Sequence, residues 1–175
     1  RGKKVEHSEY NAAGVLKSKT IYKYNNTGNL IEELFSKGDS SRTIKYIYKY
    51  NDKGNLIETQ SFDSSFSGVA KTFYKYDNNG KRIEDLTYYG DGSTSGKITR
   101  KYDGRGNKIY EKDYTARAFS KVLTFKYDNK NRLIEETTGG DENSFSLKKV
   151  YKYDNNGVKI EEILYQGNNS YMIRI

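Results

Sequence analysis

The stretch Tyr22-Lys-Tyr-Asn-Asn-Thr-Gly-Asn-Leu-Ile-Glu32 decides the fold of this chain, because it comes back five more times. It returns as Tyr48-Lys-Tyr-Asn-Asp-Lys-Gly-Asn-Leu-Ile-Glu58 and Tyr74-Lys-Tyr-Asp-Asn-Asn-Gly-Lys-Arg-Ile-Glu84, then as Arg100-Lys-Tyr-Asp-Gly-Arg-Gly-Asn-Lys-Ile-Tyr110. The last copies are Phe125-Lys-Tyr-Asp-Asn-Lys-Asn-Arg-Leu-Ile-Glu135 and Tyr151-Lys-Tyr-Asp-Asn-Asn-Gly-Val-Lys-Ile-Glu161. The second tyrosine of each copy stands at 24, 50, 76, 102, 127 and 153, a period of 26 with one step of 25. A fixed period of this size marks a tandem array in which each unit buries its faces against the next.

Each copy reads as a β-hairpin. The first strand, for example Thr43 to Tyr50, alternates with period two and is rich in Tyr, Ile, Thr and Lys. The turn Asn/Asp-x-x-Gly suits a type I turn closed by a left-handed residue, with the Asx side chain bonding the backbone. Gly28, Gly54, Gly80, Gly106 and Gly157 fill the left-handed slot, and Asn131 fills it in the copy without glycine. A second strand such as Leu56 to Ser61 follows. Polar loops are expected at 36–42, 62–70, 88–96, 113–120 and 138–146. Counting out from the turn sets Tyr24 opposite Leu30, Lys23 opposite Ile31, Tyr22 opposite Glu32 and Ile21 opposite Glu33. One face then holds two Tyr columns and a Glu column. The other holds the Ile column (31, 57, 83, 109, 134, 160), a β-branched or Phe column and a Lys column.

The fold class expected is all-β: tandem ~26-residue hairpins in an elongated, twisted antiparallel meander of about fourteen strands, open or closing on itself. Gly2-Lys-Lys-Val5-Glu6 aligns with Gly28-Asn-Leu-Ile31-Glu32, so residues 1–19 read as a half repeat, 20–170 as six hairpins, and 171–175 as a terminal half-repeat strand. The whole, 1–175, reads as one repeat domain. Such edges could join copies end to end.

Composition agrees and excludes much else. Leu, Ile, Val and Phe make up 20% of 175 residues, too few for a thick core, while 18 Tyr bury rings with wet hydroxyls. Cys and Pro are absent and His7 is the one histidine, which removes disulfides, thiolate metal sites and most hydrolytic triads. No apolar run approaches ~20 residues, so no transmembrane helix is expected.

The pattern Tyr-x-Tyr-Asp-x-x-Gly-x-Leu/Ile resembles the YD repeat of RHS-type proteins over nearly the whole chain. Asp77-Asn-Asn-Gly80 and Asp154-Asn-Asn-Gly157 carry it best, with the Asn25 and Asn51 copies one substitution away. The resemblance implies hairpins stacked into curved sheets or shells, an extracellular or cell-surface location in bacteria, and an association with carbohydrate or cell wall. The array here is short and its spacing long for that family, and residues 1–175 hold no toxin or protease domain of their own, so a toxin-encapsulating shell is not expected. The aromatic hairpins of choline-binding repeats and of MORN repeats are also similar, but this chain lacks their Trp and Gly-rich patterns.

The chemistry-bearing residues are few. Glu32-Glu33, Glu135-Glu136 and Glu161-Glu162 are adjacent along strands, so each pair splits between faces and cannot flank one cleft as glycosidase carboxylates do. Enzyme activity is not expected, and neither a cofactor nor a metal is assigned. The Asx turns lack the six or more oxygens of a calcium loop. The net charge of +8, half of it within residues 1–24, suits either anionic polymer or a solvated Lys column; clustered Arg and any nucleic-acid module are missing. The Tyr columns (Tyr22, Tyr48, Tyr74, Tyr151 and Tyr24, Tyr50, Tyr76, Tyr102, Tyr127, Tyr153) are structural by default and offer periodic sugar-stacking subsites if exposed. Phe66, Tyr88, Tyr89, Tyr114, Phe119 and Phe145 lie in the variable loops, where binding residues concentrate. Two functions follow: a binding module for polysaccharide or anionic cell-envelope polymer, or a structural or adhesive spacer that self-associates through its edge strands.

Overall fold

The computed structural model describes residues 2–65, 69–115, 120–140, 147–167 and 169–174, and contains no helix among them. Fourteen strands follow one another: β1 (Glu6–Tyr10), β2 (Leu16–Tyr24), β3 (Leu30–Lys37), β4 (Thr43–Tyr50), β5 (Leu56–Asp63), β6 (Val69–Tyr76), β7 (Arg82–Tyr88), β8 (Thr94–Tyr102), β9 (Lys108–Thr115), β10 (Lys121–Tyr127), β11 (Leu133–Gly139), β12 (Leu147–Tyr153), β13 (Lys159–Gln166) and β14 (Asn169–Arg174). Strand order follows chain order, so the protein is an all-β hairpin meander, and it does not close on itself into a barrel. The chain forms two compact units, Arg1–Ser95 and Gly96–Ile175. Strands β1 to β7 pair antiparallel in sequence within the first, and β8 to β14 within the second.

Every glycine expected at a hairpin tip is at a tight reversal. Gly28, Gly54, Gly80, Gly106 and Gly157 have φ between 79° and 89°, and Asn131 has φ 63° in the same slot. In the first tip, Asn25 N–H donates to Asn29 O and Gly28 N–H to Asn25 O, both at 2.9 Å. The Asn25 Oδ1 accepts from Asn29 N–H at 2.8 Å, and Asp77 Oδ1 accepts from both Asn79 and Lys81 N–H. The Asx residue therefore holds its own turn shut.

Past the turn the register departs from the alternating count. Tyr24 faces Leu30 as expected, but Lys23 faces Glu32 rather than Ile31, Tyr22 faces Glu33 rather than Glu32, and Ile21 faces Leu34 rather than Glu33. Ile31 has no partner: it is the extra residue of a β-bulge. The same shift recurs beside Tyr50, Tyr76, Tyr102, Tyr127 and Tyr153. One added residue moves every later side chain to the other face. In five copies the Lys column thus faces the first Glu instead of lying over the Ile column, with Lys101 facing Tyr110 in the remaining one; Tyr22, Tyr74 and Tyr151 face the second acid and Tyr48 faces Thr59. The segments expected as polar loops are also shorter than counted. Pairing runs to Lys37, Asp63, Tyr88, Thr115 and Gly139 before the chain turns. In the 88–96 segment Tyr89 and Gly92 close another reversal, Gly92 having φ 82°.

Within each unit the strands touch the ones before and after them. Among the described residues the strands of each unit are mostly half-buried, and Val122 is the one buried hydrophobic side chain. Cohesion must come from the ladders and from cross-strand pairs, each worth about 0.2–1 kcal/mol.

Candidate functional site

In five of the copies the second tyrosine bonds sideways, toward the strands before its hairpin. Tyr50 OH donates to Leu30 O at 2.8 Å, Tyr76 OH to Leu56 O at 2.7 Å, and Tyr153 OH to Leu133 O at 2.8 Å. Tyr24 reaches Lys4 O and Tyr127 reaches Lys108 O in the same way. The cause lies in the bulge. Between β3 and β4 the ladder runs from Ser36↔Thr43 only to Glu32↔Ile47, so Leu30 lies beyond its end and its carbonyl meets the hydroxyl of Tyr50. Tyr102 holds the corresponding place in its copy and is half-buried. Burial holds the hydroxyls of Tyr50, Tyr76 and Tyr127 above the ordinary tyrosine range, which keeps them donors.

The first tyrosine bonds across to the second strand of the preceding hairpin. Tyr48 OH meets Glu33 Oε2 at 3.2 Å, Tyr151 OH meets Glu136 Oε2 at 3.3 Å, and Tyr74 OH meets Thr59 Oγ1 at 3.1 Å. Burial first, then the charge of Glu136, pushes Tyr151 up to about 12; Tyr48 is raised by burial and Glu33. Tyr22 sits under the Lys4 ammonium, 5.8 Å from its ring centre. In other copies the same acid takes a cation from its own hairpin: Arg82 bonds Asp85, while Lys108 Nζ reaches Glu111 and Lys159 Nζ reaches Glu162 at 3.0 and 2.9 Å. Residues three apart on a regular strand face opposite ways; here the bulge between them brings both to one face.

On the opposite face the first glutamates Glu32, Glu58 and Glu135 each tie lysines from two strands. Glu32 accepts from Lys23 at 2.7 Å and Lys45 at 2.9 Å, and Glu135 from Lys126 at 2.7 Å and Lys148 at 2.8 Å. Those lysines hold the Glu32 carboxyl below its ordinary range; at Glu135 burial opposes the shift and the lysines outweigh it. The paired carboxylates are accordingly divided between faces, Glu161 on Lys152 and Glu162 on Lys159.

Two concavities open in the first unit. One separates the tips 51–55 and 77–80, with Ile57, Tyr74, Tyr76 and Ile83 along it, and encloses about 770 Å³. It exists because β5 and β6 stop pairing at Glu58↔Phe73, short of their tips. The other, about 360 Å³, lies on the Lys–Glu face over three adjacent strands, where Gln60 and Phe62 of β5, Lys71 and Phe73 of β6 and Tyr88 of β7 meet the Tyr89–Gly92 reversal. Phe73 and Tyr88 meet edge to face, centroids 6.1 Å apart. Of the variable-loop aromatics, Tyr88 and Tyr89 are brought together here and Tyr114 stands exposed elsewhere. Phe66, Phe119 and Phe145 lie outside the described residues. Phe62, Lys71 and Phe73 were not singled out by the repeat pattern; the register Lys71↔Tyr88 and Phe73↔Leu86 is the signal that gathers them.

No protein-family model matches the chain, and no curated protein does. Among the described residues no helix is long and apolar enough to cross a membrane. The chain is similar to part of the crystal structure of TcdB2-TccC3-Cdc42, at 16% identity over 97% of this chain with a TM-score of 0.68. It spans about a tenth of that chain, 10% of its length. It is also similar to a porin-like protein from Bacteroides uniformis, at 14% identity over 95% of this chain and 86% of that one, with a TM-score of 0.50. At such identities the likeness is one of fold, a β-hairpin repeat.

Proposed function

We propose that this chain is a non-catalytic structural repeat, a length of β-hairpin wall whose sheet grows sideways by adding hairpins, in a secreted or surface-exposed bacterial protein of YD-repeat type. One observation carries the reading: the residues that define the repeat are spent on joining hairpins. The Tyr hydroxyls cap carbonyls and acids of the hairpin before, the Lys–Glu pairs tie strands together, and Asx and Gly close the tips. The likeness of fold to a tenth of a far longer chain supports it. The location outside the cell rests on the YD-repeat resemblance. The outer edges of β1 and β14 each have a single neighbour in the strand order, and self-association along them belongs to the same reading.

The test sets stability against binding. With Tyr50→Phe and Tyr76→Phe combined, the wall reading expects about 2 kcal/mol lower stability in urea unfolding, one unit per lost hydroxyl bond, and no change on a glycan array. If the Tyr50→Phe/Tyr76→Phe variant kept its stability and lost a glycan, this reading would be overturned. The second reading, a binding module for polysaccharide or anionic envelope polymer, is favoured by the aromatic cavity on the Lys–Glu face.

A further inference from the structure

The geometry points to the Phe62–Phe73–Tyr88–Tyr89 corner as a binding site for acidic polysaccharide, one uronic-acid ring seated on the aromatic rings with its carboxylate at Lys71. This rests on the binding reading and not on the wall reading.

The corner departs from the repeat where the scaffold does not require it. At the place of Phe73 the other copies carry Ile21, Ile47, Thr99, Thr124 and Val150, all β-branched residues that suit the strand. At the place of Gln60 they carry Leu34, Leu86, Lys112, Thr137 and Ile163. Here Phe62, Phe73 and Tyr88 of three neighbouring strands share one face, with Tyr89 added from a tight reversal. Phe73 is 37% exposed and Tyr89 40%, so rings are presented to solvent instead of being consumed by packing. A pyranose offers such rings its flat C–H face, while its hydroxyls need donors and acceptors at the rim. Gln60 supplies an amide there, and Gly90 and Gly92 expose backbone; a side chain at Gly92 would meet open space, so nothing crowds that edge. The volume of about 360 Å³ is at the small end of ligand cavities, enough for a sugar ring and its substituents.

Charge selects the acidic sugar. The Glu58 Oε1 accepts from Gln60 at 2.5 Å and Lys49 at 3.1 Å, and Lys71 stands farther off, 3.8 Å away. Two ammonium groups share one carboxylate, and Lys71, whose Nζ lies 5.8 Å from the Phe73 ring centre, is the one at the cavity. A ligand carboxylate there meets an ammonium whose partner Glu58 is 3.8 Å away and shared with Lys49, in a chain of net charge +8.

Tetragalacturonate and its fully methyl-esterified tetramer, titrated by calorimetry at physiological salt, provide the test. The acid tetramer is expected to bind with a dissociation constant of about 1 mM or tighter, and the ester at least tenfold more weakly. Lys71→Gln should weaken the acid tetramer about tenfold and leave the ester unchanged. Phe73→Ile, which installs the residue of the first two copies, and Tyr89→Ser should each abolish binding of both while the amide spectrum stays folded. Lys17→Gln, an equal loss of charge at an exposed residue away from the cavity, should change nothing. Absence of binding, equal binding of acid and ester, retained binding in Phe73→Ile, or equal weakening by Lys17→Gln and Lys71→Gln would each overturn the assignment. None of these outcomes bears on the urea stability that tests the wall.

Discussion

Tyr151 is the residue at which the lateral bonding can be titrated. Its hydroxyl donates to Glu136, and burial together with that carboxylate moves its pKa from the ordinary value near 10 to about 12. Tyr48, Tyr50, Tyr76 and Tyr127 shift in the same direction, each with burial as the main cause. A folded pKa above the unfolded one means that the native chain holds the proton more tightly. The stability these groups contribute is complete below about pH 10 and is lost as pH rises through the folded values. Melting temperature should therefore hold level up to about pH 10 and fall steeply from there to about pH 12, with tyrosinate absorbance rising along the unfolding curve. Tyr151→Phe should flatten that fall while costing about 1 kcal/mol at neutral pH, the worth of one hydrogen bond. An equally steep alkaline fall in the variant would show that Tyr151 takes no part in it. The carboxylates give the opposite sign. Glu32 and Glu135, held low by lysines, contribute above the usual carboxylate range and lose their contribution as pH falls through their lowered values.

The hairpin element was legible in its turn and strands and illegible in its bulge. Asx and Gly at fixed spacing specify a tip, and Gly80 demonstrates why: its φ is 79°, and an added Cβ there would meet nothing within 4 Å. Gly80→Ala should then cost about 1–2 kcal/mol in urea unfolding through backbone strain alone, and Gly80→Asn less than half as much, since Asn131 already holds that conformation. Equal costs for the two would point to something other than φ. Ile31, by contrast, looks like an ordinary strand residue, because alternation gives every residue a partner and cannot announce the one without. That single unpaired residue moved the Lys–Glu pairs, the Tyr–acid bonds and the aromatic corner off the faces assigned by counting. One trace of it was readable afterwards. Acid partners follow a rule: with Leu30 or Leu133 ahead of the bulge, Glu33 and Glu136 take a tyrosine hydroxyl, whereas Lys108 or Lys159 ahead of it supplies the partner directly. After Glu111 the next copy has Phe125, which has no hydroxyl to offer. A double-mutant cycle of Tyr48→Phe with Leu30→Lys checks the exchange. Leu30→Lys should cost less stability in the Tyr48→Phe background than in the parent, by about 0.5–1 kcal/mol of coupling; additive costs would refute it.

At the scale of the molecule, the shortage of large aliphatic residues reappears as a fold with almost no interior. Val122 is 2% exposed, and no other hydrophobic side chain among the described residues is buried. Each strand's stabilising partners are the strands on either side, so the energy of a unit is close to a sum of hairpins and of the joints between them. A globular core couples distant segments and makes unfolding all-or-none; nearest-neighbour joints couple only adjacent hairpins. A joint here consists of a ladder of about five residue pairs, one or two tyrosine hydroxyl bonds and Lys–Glu pairs that are half in water. Joints of that strength are comparable to the cost of ordering the next hairpin, so partly unravelled chains should be populated. The measurable consequence is calorimetric: the enthalpy integrated under the melting peak should exceed the van't Hoff enthalpy from its width. Amide exchange should be slowest in pairs such as Tyr46↔Ser61, between the tip and the far end of a hairpin, and fastest at β1 and β14. Equal enthalpies with uniform protection would instead demand a cooperative interior, and the lateral bonds of tyrosine, lysine and glutamate would then be too weak an account of how this sheet holds together.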